Sequence, residues 1–436
     1  MTRNSSPSTA LLTDHYELTM VQAALESGAA HRRCVFEAFA RRLPDGRRYG
    51  VVGGTGRLLD ALADFRFGDD ELRFLADRRI VDDTTIEFLS AYRFTGQVSG
   101  YGEGECYFPG SPVLVVESGF AEGVVLETLV LSILNHDTAI ASAASRMTSA
   151  AGDRPCIEMG SRRTHEEAAV AAARAAYIAG FTATSNLEAG RRHGVPTTGT
   201  AAHAFTLLYD SERAAFTAQV ESLGKGTTLL VDTYDVRRAV ELAMEVAGPQ
   251  LGAVRLDSGD LLSQAKEVRA QLDAAGNRDT RIIVTSDLDE FAIAALAVAP
   301  VSGYGVGTAL VTGSRAPTAS MVYKLVARQN AAGELEAVAK KSKDKKSVGG
   351  RKWAARRRNE RGMATAEVIG VGAAPSSAGD DRPLMTRLVR DGEIVGAEEL
   401  AAARDRHAAA LAELPPAAMQ LSRGEPVIPT VYEEYE

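Results

Sequence analysis

The sequence predicts an α/β protein in which an irregular parallel α/β barrel is inserted between two halves of a smaller mixed α/β domain. Three features carry that prediction. Between residues 155 and 306, short apolar runs alternate with helical stretches, and repeated β-then-α units imply parallel strands. Gly180, Gly194, Gly248 and Gly276 fall where the intervening helices should end. On both sides of this region the texture changes to Gly, Pro and alternating apolar residues, the pattern of strands joined by tight turns.

In chain order, 69–78 and 84–92 have charged starts followed by apolar residues at helical spacing (Leu72 and Leu75, Ile86 and Leu89). Residues 94–118 read as strands and end in the run Val113-Leu114-Val115-Val116. One long helix is expected over 123–149, rich in Leu, Ile and Ala. Seven strands follow at 155–159, 181–184, 195–199, 228–231, 253–256, 281–285 and 301–306, enough for a closed or nearly closed barrel. Helices are expected between them at 164–178, 186–192, 234–246, 261–274 and 288–298, the first opened by a capping box of Thr164 and Glu167. Strands return at 321–326 and 335–338, and 384–389 with 393–395 form a hairpin around Asp391-Gly392. A basic run at 340–361 and a Gly/Ser/Ala/Pro stretch at 371–381 read as loops. The late strands should pair with those of 94–118, giving a flanking domain of 1–122 and 319–436 around a barrel of 123–318.

Composition bounds the function. The chain has 436 residues, 45% hydrophobic and 24% charged, and a formal charge of −8, which weighs against a general nucleic-acid binder. Its three cysteines, Cys34, Cys106 and Cys156, form no CxxC pair, so neither a disulfide framework nor a zinc ribbon is expected. There is no uninterrupted apolar stretch of membrane-spanning length, and 1–9 is polar, so a cytoplasmic enzyme is expected.

In a parallel barrel, catalytic groups gather at the C-terminal strand ends. Those ends here carry Gly160-Ser161-Arg162-Arg163, Thr184-Ser185-Asn186, Gly199-Thr200-Ala201-Ala202-His203, Asp232-Thr233-Tyr234-Asp235, Arg255-Leu256-Asp257-Ser258-Gly259-Asp260, Ser286-Asp287 and Gly305-Val306-Gly307-Thr308. Cations, carboxylates and a Gly-Thr turn around one mouth suit a multiply phosphorylated ligand with Mg²⁺. Each piece also has a plainer reading. Arg162 and Arg163 could be surface charges, the glycines could serve packing, and Asp257 and Asp260 could cap the next helix instead of holding Mg²⁺ and steadying a positively charging ribose. His203 stands out by position, after a run of small residues that leaves its imidazole free to reach a ligand.

Together with Thr13-Asp14-His15-Tyr16-Glu17-Leu18-Thr19-Met20 near the start and Tyr323-Lys324-Leu325-Val326 later, these segments resemble the nicotinate phosphoribosyltransferase family, in the family's order, from residue 13 to beyond 320. The resemblance implies a quinolinate-transferase-like barrel beside an α/β sandwich, and a homodimer with shared active sites. It implies that nicotinate and phosphoribosyl pyrophosphate give nicotinate mononucleotide and pyrophosphate, coupled to ATP hydrolysis, with Mg²⁺, in NAD salvage. Carried over residue by residue, His203 would take a phosphoryl group from ATP, a neutral imidazole nitrogen being a competent nucleophile near neutral pH. Arg255 would meet the nicotinate carboxylate, Tyr16 would lie over the pyridine ring, and Thr200 and Ser161 would contact substrate. Gly305, Gly307, Thr308 and Ser286 would bind the 5-phosphate, and Arg162 and Arg163 the pyrophosphate or the acid. Asp257 and Asp260 would serve Mg²⁺ and the ribose. Ile80-Val81-Asp82-Asp83-Thr84-Thr85 resembles the acidic ribose-gripping motif of another phosphoribosyltransferase class, but Arg78 and Arg79 before it and Ile86-Glu87-Phe88-Leu89 after it mark a helix N-terminus.

Three other readings compete. Nicotinamide phosphoribosyltransferase shares the fold but takes an uncharged base. A nucleotide- or nucleic-acid-binding regulator could use 340–361, whose cations include Lys345, Lys346, Arg351, Lys352, Arg356, Arg357 and Arg358, although Trp353 is the run's one aromatic residue. A barrel aldolase would need a Schiff-base lysine at a strand end, and no expected strand ends in one.

Overall fold

The computed structural model describes residues 8–340, 348–376 and 381–434. The chain divides into two compact units, Met1–Ala139 with Thr318–Glu436, and Ile140–Pro317. The boundary between Ala139 and Ile140 falls inside one helix, Glu127–Ala151.

The discontinuous unit is built on a seven-stranded antiparallel sheet. Its order is Leu335–Ala337, Met321–Gln329, Arg33–Ala40, Leu114–Gly119, Gln97–Tyr101, Met385–Arg390 and Glu393–Ile394. The three strands from before the inserted unit form the centre of the sheet, with two strands from after it on each edge. Met385–Arg390 pairs with Gln97–Tyr101, as the texture of 94–118 led one to expect, whereas Met321–Gln329 pairs instead with Arg33–Ala40. The core unites both halves: Phe36 stacks on Tyr323 with ring centroids 5.1 Å apart. Both rings are buried, each burial contributing about 1.5–3 kcal/mol on the usual area scale. The 390–393 hairpin closes with Asp391 at φ 49° and Gly392 at φ 81°, the doubly positive pair that a two-residue turn between twisted strands requires.

Several expected elements differ. The helix expected over 123–149 is two pieces, Phe120–Val124 and Glu127–Ala151. The stretch Phe120–Ala151 is long and apolar enough to cross a membrane, but 67% of its most apolar window is buried within the fold. Its Asp137 also binds Arg57 and His136 at 2.8 Å, as suits a core helix. The expected Thr164 cap is displaced by one residue: the helix is Glu166–Ile178, and the His165 imidazole accepts the Glu167 N–H. Asp82 caps Asp83–Ser90 by accepting from the Thr85 amide, which confirms the helix-start reading of 80–85.

The largest correction concerns the basic run. Lys352–Arg358 is a strand, not a loop, in a four-stranded sheet ordered Arg382–Pro383, Lys352–Arg358, Ala364–Val371 and Thr430–Glu434. Its cations are paired with carboxylates, and two of them are buried. Lys352 Nζ lies 2.7 Å from Glu37 and Arg356 lies 2.8 Å from Glu367, all four side chains being almost wholly buried. Arg351 pairs with Glu117, Arg357 with Asp381 and Glu433, and Arg358 with Glu413. The cations of 341–347, Lys345 and Lys346 among them, lie outside the described residues, as does 377–380 of the expected loop.

The inserted unit is a curled sheet of six parallel strands, ordered Ala183–Thr184, Cys156–Glu158, Gly303–Val306, Arg281–Val284, Ala253–Leu256 and Thr228–Leu230. The expected seventh strand at 195–199 contributes a single bridge, Thr197 to Thr184. Residues 196–200 are exposed, so this stretch lacks the two-sided burial that holds a parallel strand. The barrel is accordingly open on that side. Alanines fill the interface of Glu166–Ile178, where nine of thirteen residues are buried.

Candidate active site

The C-terminal ends of the parallel strands surround a cavity of about 470 Å³, within the usual range for a small-ligand site. Cys156–Glu158 leads to Met159, Arg162 and Arg163 on its wall. The opposite wall is Thr198–Ala202, and the floor is completed by Arg255 and Asp257, then Thr285–Asp287, then Gly305, Gly307 and Thr308. Sharp turns allow these approaches. A side chain on Gly305 would press within 2.5 Å of Thr285 Cγ2 and 2.7 Å of Met159 Sδ, so glycine is required there for packing as well as for access. Ser286 sits at φ 110°, a strained backbone for serine, at the rim of this cavity.

Among the described residues, Arg162 and Arg163 form no ion pair and stand exposed. Arg255 is half-buried; its guanidinium donates to Thr200 Oγ1 at 3.2 Å, and its Nε is buried without a partner. Burial lowers its pKa, while the nearby Asp257 and Asp232 carboxylates support its charge. The result is a set of cations with hydrogen-bonding capacity to spare at the edge of a cavity.

His203 begins the short helix His203–Leu208. Its Nδ1 lies 3.0 Å from Thr233 Oγ1. Its Nε2 lies 3.8 Å from both Asp232 Oδ1 and Asp257 Oδ2, too far for a hydrogen bond and close enough for their charges to act. Asp232 is almost wholly buried. One of its oxygens accepts the Asp257 amide at 2.9 Å and the Ser258 hydroxyl at 2.7 Å, while Oδ1 has no partner. Asp257 in turn accepts from the Thr285 hydroxyl.

Not every residue chosen from the sequence lies at this cavity. Asp260 caps Leu261–Ala274, accepting from the Ser263 amide at 3.2 Å and the Ser263 hydroxyl at 2.8 Å, and does not line the cavity. Ser161 is held beside it, its Oγ accepting from Asn186 Nδ2 at 3.0 Å. Tyr16 belongs to the other unit, on the helix His15–Glu26, with 46% of its surface exposed. Partial burial and the neighbouring Glu127 push its phenol well above the usual range. Within the quoted segments, Asp232 and Thr233 beside His203, and Ser185 and Asp287 on the cavity wall, had not been chosen as site residues. Their signal was position alone, because a strand-end Asp-Thr is also a common way to begin a loop. Among the described residues, no three His, Cys, Asp or Glu side chains cluster as a metal cage.

Comparison with known proteins adds to this geometry. Residues 11–135 match the model of the nicotinate phosphoribosyltransferase N-terminal domain. A nicotinate phosphoribosyltransferase of Mycobacterium tuberculosis is 59% identical over 431 residues, covering 96% of this chain and 94% of that protein. The Bacillus subtilis nicotinate phosphoribosyltransferase is 38% identical over 330 residues, covering 73% and 67%. The crystal structure of human nicotinic acid phosphoribosyltransferase superposes with a TM-score of 0.82 at 26% identity, over 97% of each chain.

Proposed function

The chain belongs to the nicotinate phosphoribosyltransferase family, and we propose that the mouth of its parallel sheet is where the family's reaction takes place. That reaction joins nicotinate to phosphoribosyl pyrophosphate, giving nicotinate mononucleotide and pyrophosphate, a step of NAD biosynthesis. The observation that carries the placement is the gathering of Arg162, Arg163, Arg255 and Asp257 around one cavity, with His203 beside it.

In this reading, Arg255 offers its guanidinium fork to the nicotinate carboxylate, with Thr200 adding a hydroxyl. Fixing the acid there aligns the ring nitrogen with the ribose carbon and converts a bimolecular encounter into a positioned one. Gly305, Gly307 and Thr308, with Ser286, receive the 5-phosphate through backbone and hydroxyl donors. Arg162 and Arg163 receive the departing pyrophosphate, and Ser161 steadies their turn through Asn186. As the glycosidic bond breaks, positive charge develops on the ribose, and the Asp257 carboxylate stabilises it. Asp257 and the unpartnered Asp232 Oδ1, both facing His203, are the carboxylates that would hold a hard divalent cation such as Mg²⁺, its other ligands coming from phosphate oxygens and water.

We assign ATP coupling to His203. Its Nε2 is the open nitrogen, since Nδ1 faces Thr233, and it attacks the γ-phosphorus of ATP to form an N–P bond as ADP leaves. Hydrolysis of that bond then returns the free imidazole. Tyr16 is assigned to the pyridine ring within a homodimer, a partner subunit supplying it to the neighbouring mouth.

Product analysis with nicotinate, phosphoribosyl pyrophosphate and Mg²⁺, with and without ATP, tests this reading. Nicotinate mononucleotide is expected in both conditions, faster with ATP, and nicotinamide is expected to be a poor substrate. The His203→Ala enzyme is expected to retain slow transfer and to form no phosphoprotein from γ-labelled ATP. Labelled His203→Ala protein would remove His203 from the coupling step.

A further inference from the structure

We propose that Glu158 is a positioning residue that locks the loops of the anion-binding mouth into one arrangement, an inference that rests on the assignment of Arg162 and Arg163 to pyrophosphate. Glu158 ends the strand Cys156–Glu158, is fully buried and does not line the cavity. One of its carboxylate oxygens accepts the Gly160 amide, and the other accepts the Thr184 hydroxyl.

Those two bonds belong to a closed circuit. The Thr184 hydroxyl, while donating to Glu158, accepts the Asn186 amide at 2.9 Å. The Asn186 side chain donates to Ser161 Oγ at 3.0 Å, and Ser161 directly follows Gly160, whose amide returns to Glu158. The Ser185 amide also donates to the Glu158 carbonyl at 2.8 Å. The circuit therefore ties the end of one strand to the end of its neighbour. Arg162 and Arg163 follow immediately on one side, and Ser185, which also lines the cavity, lies on the other. A third loop leans on the same point. A side chain on Gly160 would meet Val311 and come within 3.0 Å of the Gly307 carbonyl, so Gly160 is packed against the Gly307-Thr308 turn.

The chemistry of the group supports a role beyond packing. An apolar side chain would fill the volume without the desolvation cost of a buried carboxylate. A carboxylate does something an apolar residue or an amide cannot: both oxygens accept, so the Thr184 hydroxyl must point its proton at Glu158 and its lone pair at Asn186. Glutamine has nearly the same shape but turns one oxygen into an N–H: facing Thr184 it leaves the hydroxyl proton without its acceptor, and facing Gly160 it sets donor against donor, so the circuit opens at position 158 in either orientation.

The test compares Glu158→Gln, Thr184→Val and Thr184→Ser in the full-length enzyme. Affinity for inorganic pyrophosphate is measured by calorimetry, and KM for each substrate, kcat and Tm are measured alongside. Glu158→Gln and Thr184→Val are expected to weaken pyrophosphate binding and raise KM for phosphoribosyl pyrophosphate about 10–100-fold, the usual range for a group that orients a ligand-binding neighbour. KM for nicotinate should stay near wild type even where Thr184→Val, which strands a buried carboxylate oxygen, lowers Tm, and Thr184→Ser, which keeps the hydroxyl, should retain pyrophosphate affinity. In an Arg162→Ala/Arg163→Ala background, adding Glu158→Gln is expected to cause little further loss. Equal losses for nicotinate and pyrophosphate with a lowered Tm would show a merely structural group and overturn the proposal. So would a full additional loss in the arginine-less background. Wild-type pyrophosphate affinity in Arg162→Ala/Arg163→Ala alone would instead overturn the assignment of the arginines, and the proposal with it.

Discussion

Two basic regions of this molecule have opposite fates. In the strand Lys352–Arg358 each cation has a carboxylate neighbour: Lys352 on Glu37 and Arg356 on Glu367 inside the fold, and Arg357 on Asp381 and Glu433 and Arg358 on Glu413 in partly exposed pairs. At the ends of the parallel strands, Arg162 and Arg163 have no ion-pair partner among the described residues, and Arg255 keeps a buried Nε without an acceptor. The first region has the denser positive charge in sequence, and the second is the one available to a ligand. Charge density along a chain therefore says little about binding until the partners are known. A buried pair already carries its desolvation cost and is out of a ligand's reach, even where nitrogens such as Arg356 Nε and Nη1 lack an acceptor, whereas an unpaired guanidinium at a cavity edge can still gain a charge-assisted bond.

The comparison breaks most visibly at Arg356. Its side chain is fully buried and bonded to Glu367 and to the Cys106 carbonyl, so Arg356→Met should strand the Glu367 carboxylate and cost about 3–5 kcal/mol in chemical denaturation. Substrate KM values, measured well below the unfolding transition, should not change. Arg356→Met with Glu367→Gln should recover much of the loss, because no buried charge is then left unpaired. A large KM effect with unchanged stability would mean that the strand serves a ligand after all.

A pair of histidines sharpens the contrast. His203 lies beside the mouth with 40% of its side chain exposed, whereas His407 in Leu400–Ala412 is 4% exposed. Burial, reinforced by Arg404, pulls the His407 pKa down to about 4 from the ordinary 6.5. Between those values the unfolded chain takes up a proton that the folded chain refuses. Stability is therefore full above pH 6.5 and falls as the pH drops toward 4, by about 3 kcal/mol at 1.36 kcal/mol per unit. His407→Gln should flatten the stability curve over that window. An unchanged slope in denaturant titrations across pH 4–6.5 would assign the acid sensitivity elsewhere.

The smallest of these expected effects is confined to the mouth. Arg255→Ala should weaken nicotinate binding by about 1.5–3 kcal/mol, the usual value of a hydrogen bond to a charged group, and leave the denaturation midpoint nearly unchanged. Equal weakening of nicotinate and phosphoribosyl pyrophosphate would move Arg255 from the acid to the phosphates.

What was legible in the sequence follows the same division. The β-then-α alternation of 155–306 is local, so the strand ends and their polar residues could be read in order. The 195–199 run was misread because Val195 and a following polar stretch look like a short strand, yet 196–200 are exposed and form one bridge. The basic strand was misread for a different reason. Glu37 lies over three hundred residues from Lys352, and no local pattern announces a partner at that distance. Asp232 and Asp260 show the same limit within the inserted unit. Both are strand-end acids in sequence, and only the fold shows one beside His203 and the other on a helix cap.

The sheet built from both ends of the chain also bears on how the protein is made. Arg33–Ala40, in the middle of that sheet, takes Met321–Gln329 as one neighbour, with Cys34 facing Arg328. At about 5–20 residues per second, the ribosome delivers that neighbour roughly 15–60 s after the strand itself. Throughout this interval Leu114–Gly119 can cover one edge of Arg33–Ala40, and the other edge presents unpaired backbone groups to solvent. The segment Ile140–Pro317, contiguous in the chain, is fully synthesised before that edge can close. Synthesis order thus places the inserted unit first and the unit around it last, and the period of greatest aggregation hazard ends when Met321–Gln329 emerges.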